Sequence, residues 1–331
     1  MRKRKLIIGL LILKLALIFF FMNFDNSIEK DDNAISPGVK LENVPLEKEL
    51  GVKPDEDETK EFIKNHTKDL EIEPENAYID PSTGGIVPGT TGKVVDTEKT
   101  LNNIYKAKKG ENVSPVFTTV EPSENTNDLT PAPIYQGNPN IKKVSFICNV
   151  AWGSEHIDEL IEVLDKHEVK ISFFLEGRWA KNNPQKTKFI FDKGHEIGNH
   201  AYSHYNMSTI DRNLIKEEIN KTSETIESII DEEVKLFGPP AGDFDDRVLE
   251  VADDLGVYTV MWSLDTIDWM EPGIDYMTDK ILDGIHPGAF ILMHPTEDTV
   301  TALDEILSGL KEKSYKVVPV SEQLGVDIYE N

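Results

Sequence analysis

The feature that most constrains the fold is a regular alternation of short apolar runs and amphipathic stretches in the C-terminal part of the chain. It begins with Val144 to Val150, Ile157 to His167 and Ile171 to Leu175, and continues to Val317. This alternation predicts an α/β fold with parallel strands joined by crossover helices. About seven such units fit, which favours a barrel over an open doubly wound sheet, although periodicity alone leaves both open. In either fold, functional side chains gather at the carboxyl ends of the strands.

The charge of the chain limits its partners. The 331 residues carry a formal net charge of -25, and the pI is near 4.7. Proteins that bind phosphate backbones need a basic face, so we expect no nucleic-acid partner. The single cysteine, Cys148, lies in an apolar run, which excludes an intramolecular disulfide and a cysteine-rich zinc site.

The N-terminus carries the signature of a membrane anchor. Basic residues Arg2 to Lys5 precede an apolar run from Leu6 to about Phe24, which Lys14 interrupts. A membrane-spanning helix needs about 20 such residues. No small-residue cleavage site follows, so residues 1–25 are predicted to form an uncleaved signal anchor, single-pass in the cell membrane, with the bulk of the chain outside, facing the cell wall. A cleaved signal peptide and a buried soluble helix are the alternatives.

Changes in composition divide the remainder of the chain. Residues 26–56 are polar and acidic with scattered prolines, and they are predicted to form a stalk. Residues 57–129 combine helix-like and short strand-like patterns, which indicate a small α/β module. Residues 130–140 are read as a linker rich in proline and asparagine. Residues 141–331 form the predicted barrel domain.

Two groups of polar residues follow predicted strands of that domain. His200 and His204 lie four residues apart after a short apolar strand; on one helical turn both rings would face the same way and could bind one divalent metal ion. Asp268 and His294 follow two later strands, and an imidazole paired with a carboxylate can act as a general acid. Taken alone, each group also fits capping aspartates and core histidines.

Together these segments resemble those of the NodB-homology polysaccharide deacetylases, carbohydrate esterase family 4. Five strand-end segments recur in the family's order across residues 141–331. The resemblance implies a distorted (β/α)7 barrel and a divalent metal ion, usually zinc, held by an Asp and two His while a second Asp activates water. It implies His200 and His204 as metal ligands, His294 as catalytic acid and Asp268 as its partner. It implies a substrate-binding surface at Trp152, Pro239, Pro240, Gly242, Trp269 and Leu292.

The chain departs from that family at three positions. Asn149 stands where the catalytic base belongs, Val150 where the metal-binding aspartate belongs, and Gly238 where an arginine pairs with the base. Asparagine cannot accept a proton near neutral pH, and valine cannot bind a metal ion. Residues 149–153 (NVAWG) resemble a sporulation-associated branch of the family, in which an apolar residue can replace the metal-binding aspartate and W-G follows. Membership of that branch implies weak or absent metal binding. Glu155, His156 and Asp158 could supply a substitute ligand or base, or else begin a helix whose dipole favours acidic residues.

The middle module has a resemblance of its own. Residues 78–129 resemble a peptidoglycan-binding module of Gram-positive surface proteins, with its I-x-P-G-x-x-G-x-x-x-D core at Ile86 to Asp96 and a V-x-P ending at Val120 to Pro122. Both resemblances imply cell-wall glycan as the partner. Two functions follow: a membrane-anchored, metal-assisted peptidoglycan N-deacetylase with a degenerate base site, or a catalytically inactive glycan-binding scaffold. Hydrolysis of an O-acetyl ester would use the same residues.

Overall fold

The computed structural model describes residues 34–51 and 54–326. They divide into two compact units. The first holds the described residues up to Ile72 together with Lys93–Thr119, and the second holds Glu73–Gly92 and the described residues from Val120 onward. The predicted anchor, residues 1–25, lies outside the described ranges. Within those ranges, no helix combines the length and the apolar character needed to cross a membrane.

The first unit folds around two helices that are capped by aspartates. Asp55 accepts a hydrogen bond from Glu58 N in a capping box, and Asp96 accepts one from Lys99 N. The elements of this region are helices Leu46–Leu50, Glu56–Thr67 and Thr97–Lys106, a 3₁₀ turn at Lys68–Leu70, and strands Lys40–Leu41, Val44–Pro45, Gly92–Val95, Asn112–Val113 and Phe117–Val120.

The stalk prediction for residues 26–56 is wrong over its described part. Val39, Leu41 and Leu46 are fully buried in one apolar cluster with Ile63 and Ile104 of the two capped helices. Widely spaced apolar residues in an acidic segment carry no clear periodicity, so the sequence alone does not indicate that they are buried. Burial of three such side chains at about 1.5 to 3 kcal/mol each explains why the segment folds.

The second unit contains the predicted barrel. Its strands are β1 (Lys143–Val150), β2 (Ser172–Leu175), β3 (Glu196–Asn199), β4 (Leu236–Phe237), β5 (Tyr258–Thr259), β6 (Leu264–Asp265), β7 (Phe290–Met293) and β8 (Lys316–Val317). Its helices are α1 (Ile157–Lys166), α2 (Gly177–Asn182), α3 (Pro184–Asp192), α4 (Arg212–Ile230), α5 (Asp246–Asp254), α6 (Ile274–Gly284), α7 (Glu297–Glu312) and α8 (Val320–Leu324). The 3₁₀ turns are Thr126–Asp128, Ser154–His156, Met207–Thr209, Pro240–Gly242 and Asp268–Met270, and strands Tyr78–Ile79 and Ile86–Val87 form a hairpin.

The sheet of this unit is parallel and curled, which confirms the α/β class and fits a distorted barrel. The strands lie in the order β5-β4-β3-β2-β1-β7-β6, and β8 pairs with β1. Within the described residues, no ladder joins β5 to β6. At this seam Ile134 pairs with Val260 and Gln136 pairs with Ala289. The predicted linker, residues 130–140, therefore does not merely connect two modules but completes the sheet edge.

Alternation along β1 separates its two faces. Val144, Phe146, Cys148 and Val150 lie in the large apolar cluster that includes the surrounding helices. Ile147, with the opposite phase, lies in a second cluster with Phe174, Phe290 and Leu292 inside the curled sheet. Because side chains alternate along a strand, Asn149 shares the inner face with Ile147. The last residues of the strand therefore reach the mouth of the barrel.

Candidate active site

A cleft of about 360 Å³ opens at the carboxyl ends of the strands. The residues that line it come from the ends of six strands or the loops after them: Asn149, Ala151, Trp152, His200, His204, Ala241, Trp262, Asp265, Trp269, Leu292 and His294. Seven of the residues predicted from the sequence are thus brought together here, namely Asn149, Trp152, His200, His204, Trp269, Leu292 and His294. Their catalytic and binding roles stay predictions.

Asn149 forms part of the cleft wall and is only 6% exposed. Its Oδ1 atom is buried without a hydrogen-bond partner. Val150, the next residue, is fully buried in the helix-facing cluster and is not among the residues that line the cleft. The two positions where the resemblance expects carboxylates therefore carry a neutral amide and a core side chain.

Gly238, where the resemblance expects an arginine, lies against an aromatic ring. A Cβ atom at this position would lie 3.0 Å from Cδ1 of Phe174. Phe174 is fully buried and stands opposite Asn149 in the ladder between β1 and β2. The phenylalanine therefore occupies the space next to Gly238, which leaves the core well packed without the arginine.

His200 is fixed by its hydrogen bond to the backbone. It is buried, and its Nδ1–H donates to the Gly238 carbonyl oxygen at 2.7 Å. This contact leaves Nε2 with its lone pair free to accept a proton or bind a ligand. Burial, followed by the neighbouring His204, lowers the pKa of His200 to about 3, so its ring is neutral.

The segment between the two histidines is a loop, so the prediction of a helical turn is wrong. Ala201 and His204 both adopt left-handed backbone conformations, with φ of 55° and 54°. The two imidazole rings still meet, with centroids 5.0 Å apart and planes at 73°. Glu218 on α4 holds the loop, since its Oε2 accepts hydrogen bonds from Tyr202 N at 3.0 Å and Ser203 N at 2.6 Å. The pairing therefore depends on the loop conformation and not on helical spacing.

His294 and Asp268 form the predicted pair. His294 Nδ1 lies 2.8 Å from Asp268 Oδ1, and His294 N donates to Asp268 Oδ2 at 2.6 Å. Thr299 Oγ1 also donates to Oδ2, at 3.0 Å. Asp268 is 2% exposed, and the ring of Trp152 stacks on His294 with centroids 5.7 Å apart. Asp268 thus orients the imidazole so that Nε2 is available on the other side of the ring.

Asp265 is a carboxylate of the cleft that was not predicted from the sequence. Its Oδ1 accepts a hydrogen bond from Ile267 N at 2.7 Å. Burial raises its pKa above the ordinary value, and the nearby carboxylate of Asp268 adds to that effect. Trp262 and Ala241 also line the cleft without having been predicted. The eight-residue segment from Trp262 to Trp269, with tryptophans at both ends, was the available signal.

Three residues predicted for the substrate-binding surface are not among those that line the cleft. These residues are Pro239, Pro240 and Gly242. They flank Ala241, which is the residue of this segment that lines the cleft. Gly242 has a φ of 65°, and a Cβ atom there would lie 2.8 Å from the ring of Trp262. This segment therefore shapes the wall through its turn rather than through the named side chains.

A second cavity of about 410 Å³ shares Trp152 and Trp269 with the cleft. Glu155 and His156, considered above as substitutes for the missing base or ligand, line this second cavity and not the cleft. Asp158 is paired instead with Lys186 Nζ at 2.6 Å. The three substitutes are therefore not gathered around His200 and His204.

The residues present do not fit the metal ion that the resemblance implies. Catalytic zinc sites use three protein ligands. Among residues 34–51 and 54–326, no three or more His, Cys, Asp or Glu side chains are grouped so that they could hold one metal ion. His200 and His204 are the donors that remain, and Val150 supplies none at the third position.

Two family models match parts of the chain. A polysaccharide deacetylase family model matches residues 136–260, and a peptidoglycan binding domain model matches residues 22–115. The chain is 40% identical to protein YlxY of Bacillus subtilis over 79% of this chain and 82% of that protein. It is 32% identical to the peptidoglycan-N-acetylmuramic acid deacetylase PdaA of Bacillus subtilis, over 55% of this chain and 71% of that protein.

A crystal structure of a CE4 family pseudoenzyme from Bacillus anthracis is also similar. It shares 44% sequence identity with a TM-score of 0.70, and the match covers 80% of this chain and 94% of that one. A mutant of that pseudoenzyme, described as having restored enzymatic activity, matches with the same identity and TM-score. On the curled α/β sheet, the order of the strand-end segments and these similarities, the chain belongs to the polysaccharide deacetylase family, carbohydrate esterase family 4, and carries a peptidoglycan-binding domain ahead of the deacetylase domain.

Proposed function

We propose that the protein is a cell-wall glycan-binding member of its family, whose cleft holds N-acetylated peptidoglycan sugars without hydrolysing them. The observation that carries this proposal is the neutral, buried Asn149 at the wall of the cleft. Hydrolysis of an amide needs a group that takes a proton from the attacking water, and a carboxamide cannot do so near neutral pH. The pseudoenzyme of similar structure supports the same reading.

The cleft keeps the features that suit a sugar. Trp152 and Trp269 are 48% and 59% exposed at its mouth. Large, exposed aromatic side chains beside a pocket offer flat apolar faces on which sugar rings can pack. His294, held by Asp268, and the carboxylate of Asp265 add polar groups that can bond to hydroxyl groups. Binding therefore does not require the missing base.

The second candidate function is metal-assisted N-deacetylation. The observation in its favour is that the imidazoles of His200 and His204 meet and that the pair of Asp268 and His294 is intact. Burial of polar side chains destabilises the fold unless they are paired. The presence of these four side chains together therefore favours a functional cleft. Without a base and a third ligand, we rank this function second.

The proposed location is the outer face of the cell membrane. The peptidoglycan-binding domain supports a position at the wall. The apolar run of residues 6–24 with its basic flank supports an N-terminal anchor. Both modules would then face the same glycan.

The deciding experiment measures acetate release and glycan binding on the full chain. Purified protein is incubated with peptidoglycan and with oligomers of N-acetylglucosamine, with and without added zinc. We expect saturable binding and no acetate. We also expect His294→Ala to weaken binding, whereas His286→Ala, at the other end of β7 and outside the cleft, leaves it unchanged.

Two results would contradict the proposal in different ways. Zinc-dependent acetate release by the wild type would establish the second candidate function. Failure of the wild type to bind either glycan would remove the cleft as a glycan site. Acetate release only after Asn149→Asp would support the proposal, because it would show that the missing base is what silences the cleft.

A further inference from the structure

A further cavity, of about 360 Å³, lies in the second unit at the end of the barrel opposite the cleft. Tyr258, the first residue of β5, lines it together with residues 324–326 at the end of α8. Helix α8 covers the amino ends of the strands, since Val320 N donates a hydrogen bond to Ser172 Oγ at the start of β2. The cleft opens at the carboxyl ends, so the two lie at opposite ends of the sheet. We call this space the amino-end cavity.

Two separate sequence motifs meet at the amino-end cavity. Gly89 and Thr91 belong to the I-x-P-G-x-x-G part of the core motif, Glu121 and Pro122 belong to the V-x-P ending, and all four line the cavity. A Cβ atom at Gly89 would lie 3.2 Å from Cγ of Pro122 and 2.9 Å from the backbone nitrogen of Ala77. Close packing therefore requires the glycine, and it joins the two motifs into one wall.

A rigid turn forms another part of the wall. Asn125 N donates a hydrogen bond to Asp128 Oδ2 at 2.7 Å, and the Asn125 side chain accepts one in return from the backbone of Asp128. This capping box holds the 3₁₀ turn Thr126–Asp128. Asn127, in the middle of the turn, is exposed and lines the cavity. Because the turn is already ordered, little conformational entropy is lost when a ligand contacts it.

The lining fits a neutral ligand that is rich in hydroxyl groups. Four of its side chains are neutral and polar, namely Thr91, Asn125, Thr126 and Asn127. Tyr258 and Pro122 add apolar ring surface beside them, and Glu121 and Asp128 add carboxylates. The lining holds no Lys, Arg or His, so an anionic ligand would find no cationic side chain there. A sugar ring, with hydroxyl groups at its edge and an apolar face, matches this mixture of groups.

We propose that the amino-end cavity is a second glycan-binding site, which takes neutral sugar residues. It shares no lining residue with the cleft and lies at the other end of the barrel. One chain then holds two glycan strands, one at each end of its barrel. This inference goes beyond the proposed function, which needs the cleft alone.

The test is a calorimetric titration of the full chain with a pentamer of N-acetylglucosamine. Thr91 is exposed, so Thr91→Trp can fill the cavity without changing the core. We expect the wild type to bind at least two pentamers per chain and Thr91→Trp to bind one fewer. Asn127→Ala removes one polar group and should weaken binding at this site about 10-fold, or about 1.4 kcal/mol. Thr301→Trp, at an exposed position on α7 outside the cavity and the cleft, should behave as wild type.

A variant of the cleft separates the two sites. His294→Ala should weaken binding in the cleft and leave the amino-end cavity unchanged, and its combination with Thr91→Trp should weaken both. Thermal unfolding checks that each variant is folded, and Asn127→Ala alone decides if Thr91→Trp is misfolded.

The outcomes distinguish this inference from the proposed function. Binding of a single pentamer by the wild type, or an unchanged stoichiometry in folded Thr91→Trp, would overturn the second site and leave the cleft standing. Loss of all binding in Thr91→Trp, with none lost in His294→Ala, would overturn the proposed function and support the second site. If Thr91→Trp abolished binding of the sugar-free peptide of peptidoglycan and left pentamer binding intact, the cavity would be a peptide site, contrary to the inference.

Discussion

Asp268 is a buried carboxylate that accepts three hydrogen bonds, from His294 N, His294 Nδ1 and Thr299 Oγ1. Asp268→Asn replaces one acceptor oxygen with a donor, so at least one of these contacts is lost. Because a hydrogen bond to a charged group contributes about 1.5 to 3 kcal/mol, we expect the free energy of unfolding to fall by about 2 to 3 kcal/mol. Urea unfolding measures this change.

An exposed carboxylate provides the control. Asp158 bonds to Lys186 at 2.6 Å on the surface, and pairs of this kind contribute little. Asp158→Asn should therefore change the free energy of unfolding by less than about 1 kcal/mol. Equal losses in the two variants would show that burial of Asp268 does not strengthen its contacts.

His195 makes the stability depend on pH. It is buried at the start of the strand β3, its Nδ1 accepts a hydrogen bond from Ile171 N, and its Nε2 has no hydrogen-bond partner. Burial, followed by the charge of Lys170, lowers its pKa from 6.5 to about 4. Below pH 6.5 this histidine is protonated in the unfolded chain but stays neutral in the folded chain. The contribution of His195 to the free energy of unfolding is therefore complete above pH 6.5 and is lost as the pH falls toward 4.

The expected loss between these limits is up to about 3 kcal/mol, from a pKa difference of about 2.5 units. Urea unfolding at a series of pH values would show it in the wild type. His195→Gln keeps an acceptor for Ile171 N and cannot take up the proton, so its stability should fall less over the same range. Parallel curves for the two proteins would contradict this assignment.

At the scale of elements, the loops that follow β1 and β7 are packed against each other at Gly153. Its φ is 74°, and a Cβ atom there would lie 2.2 Å from the Pro295 carbonyl oxygen, next to His294. Gly153→Ala should lower the free energy of unfolding by about 2 to 4 kcal/mol, because an unfavourable backbone conformation and a steric overlap add. Thermal or urea unfolding measures the loss.

Gly256 is the matched control for this change. It has a φ of 70°, and nothing lies within 4 Å of the position that a Cβ atom would take. Gly256→Ala should therefore cost about 1 kcal/mol, from the backbone alone. An equal decrease in the free energy of unfolding for Gly153→Ala and Gly256→Ala would show that the contact between Gly153 and Pro295 is not tight.

The sequence located polar residues best where they lie at or near the end of a strand. Asn149 lies at the end of the apolar run of β1 and His294 directly follows that of β7, and the topology brings both to the lining of one cleft. It failed for the segment from His200 to His204, because the spacing of four residues is shared by a helix and by a loop with left-handed residues. Spacing alone cannot distinguish the two, since the contacts that decide come from Glu218 on α4.

At the scale of the whole molecule, the residues before β1 belong to the second unit. Ile134 is 1% exposed, its N donates to Thr259 O at 2.9 Å, and Met261 N donates to its carbonyl at 2.8 Å. A fragment of residues 142–331 lacks this contact and should have a lower Tm than residues 120–331. Loss of one buried isoleucine, at about 2 kcal/mol, predicts a difference of roughly 5 °C or more.

Ile134→Ala in the longer fragment separates the side chain from the backbone contacts. It should lower Tm by part of that difference, and calorimetry measures all three fragments. A Tm of the shorter fragment equal to that of the longer one would show that residues before β1 add nothing to the barrel.

The same segment shows why domain organisation was harder to predict than the barrel. Residues 130–140 have the composition of a linker, and residues 26–56 that of a stalk, yet a few apolar side chains in each are buried by distant partners. The average composition of a segment does not reveal a few apolar residues within it, whereas the free energy of folding depends on whether those individual side chains are buried. Their burial depends on packing partners that are distant in the sequence, so the local sequence does not show it.

The seam between β5 and β6 has a consequence for the order in which the domain is made. Gln136 pairs with Ala289 and Ile134 with Val260, so the segment before β1 is joined to residues that are synthesised much later. Pairing between residues so far apart in the chain is slow, because the entropy of loop closure is lost before the stabilising contacts form. The nascent domain therefore cannot complete this seam until Ala289 has been synthesised, which places closure of the sheet late in translation.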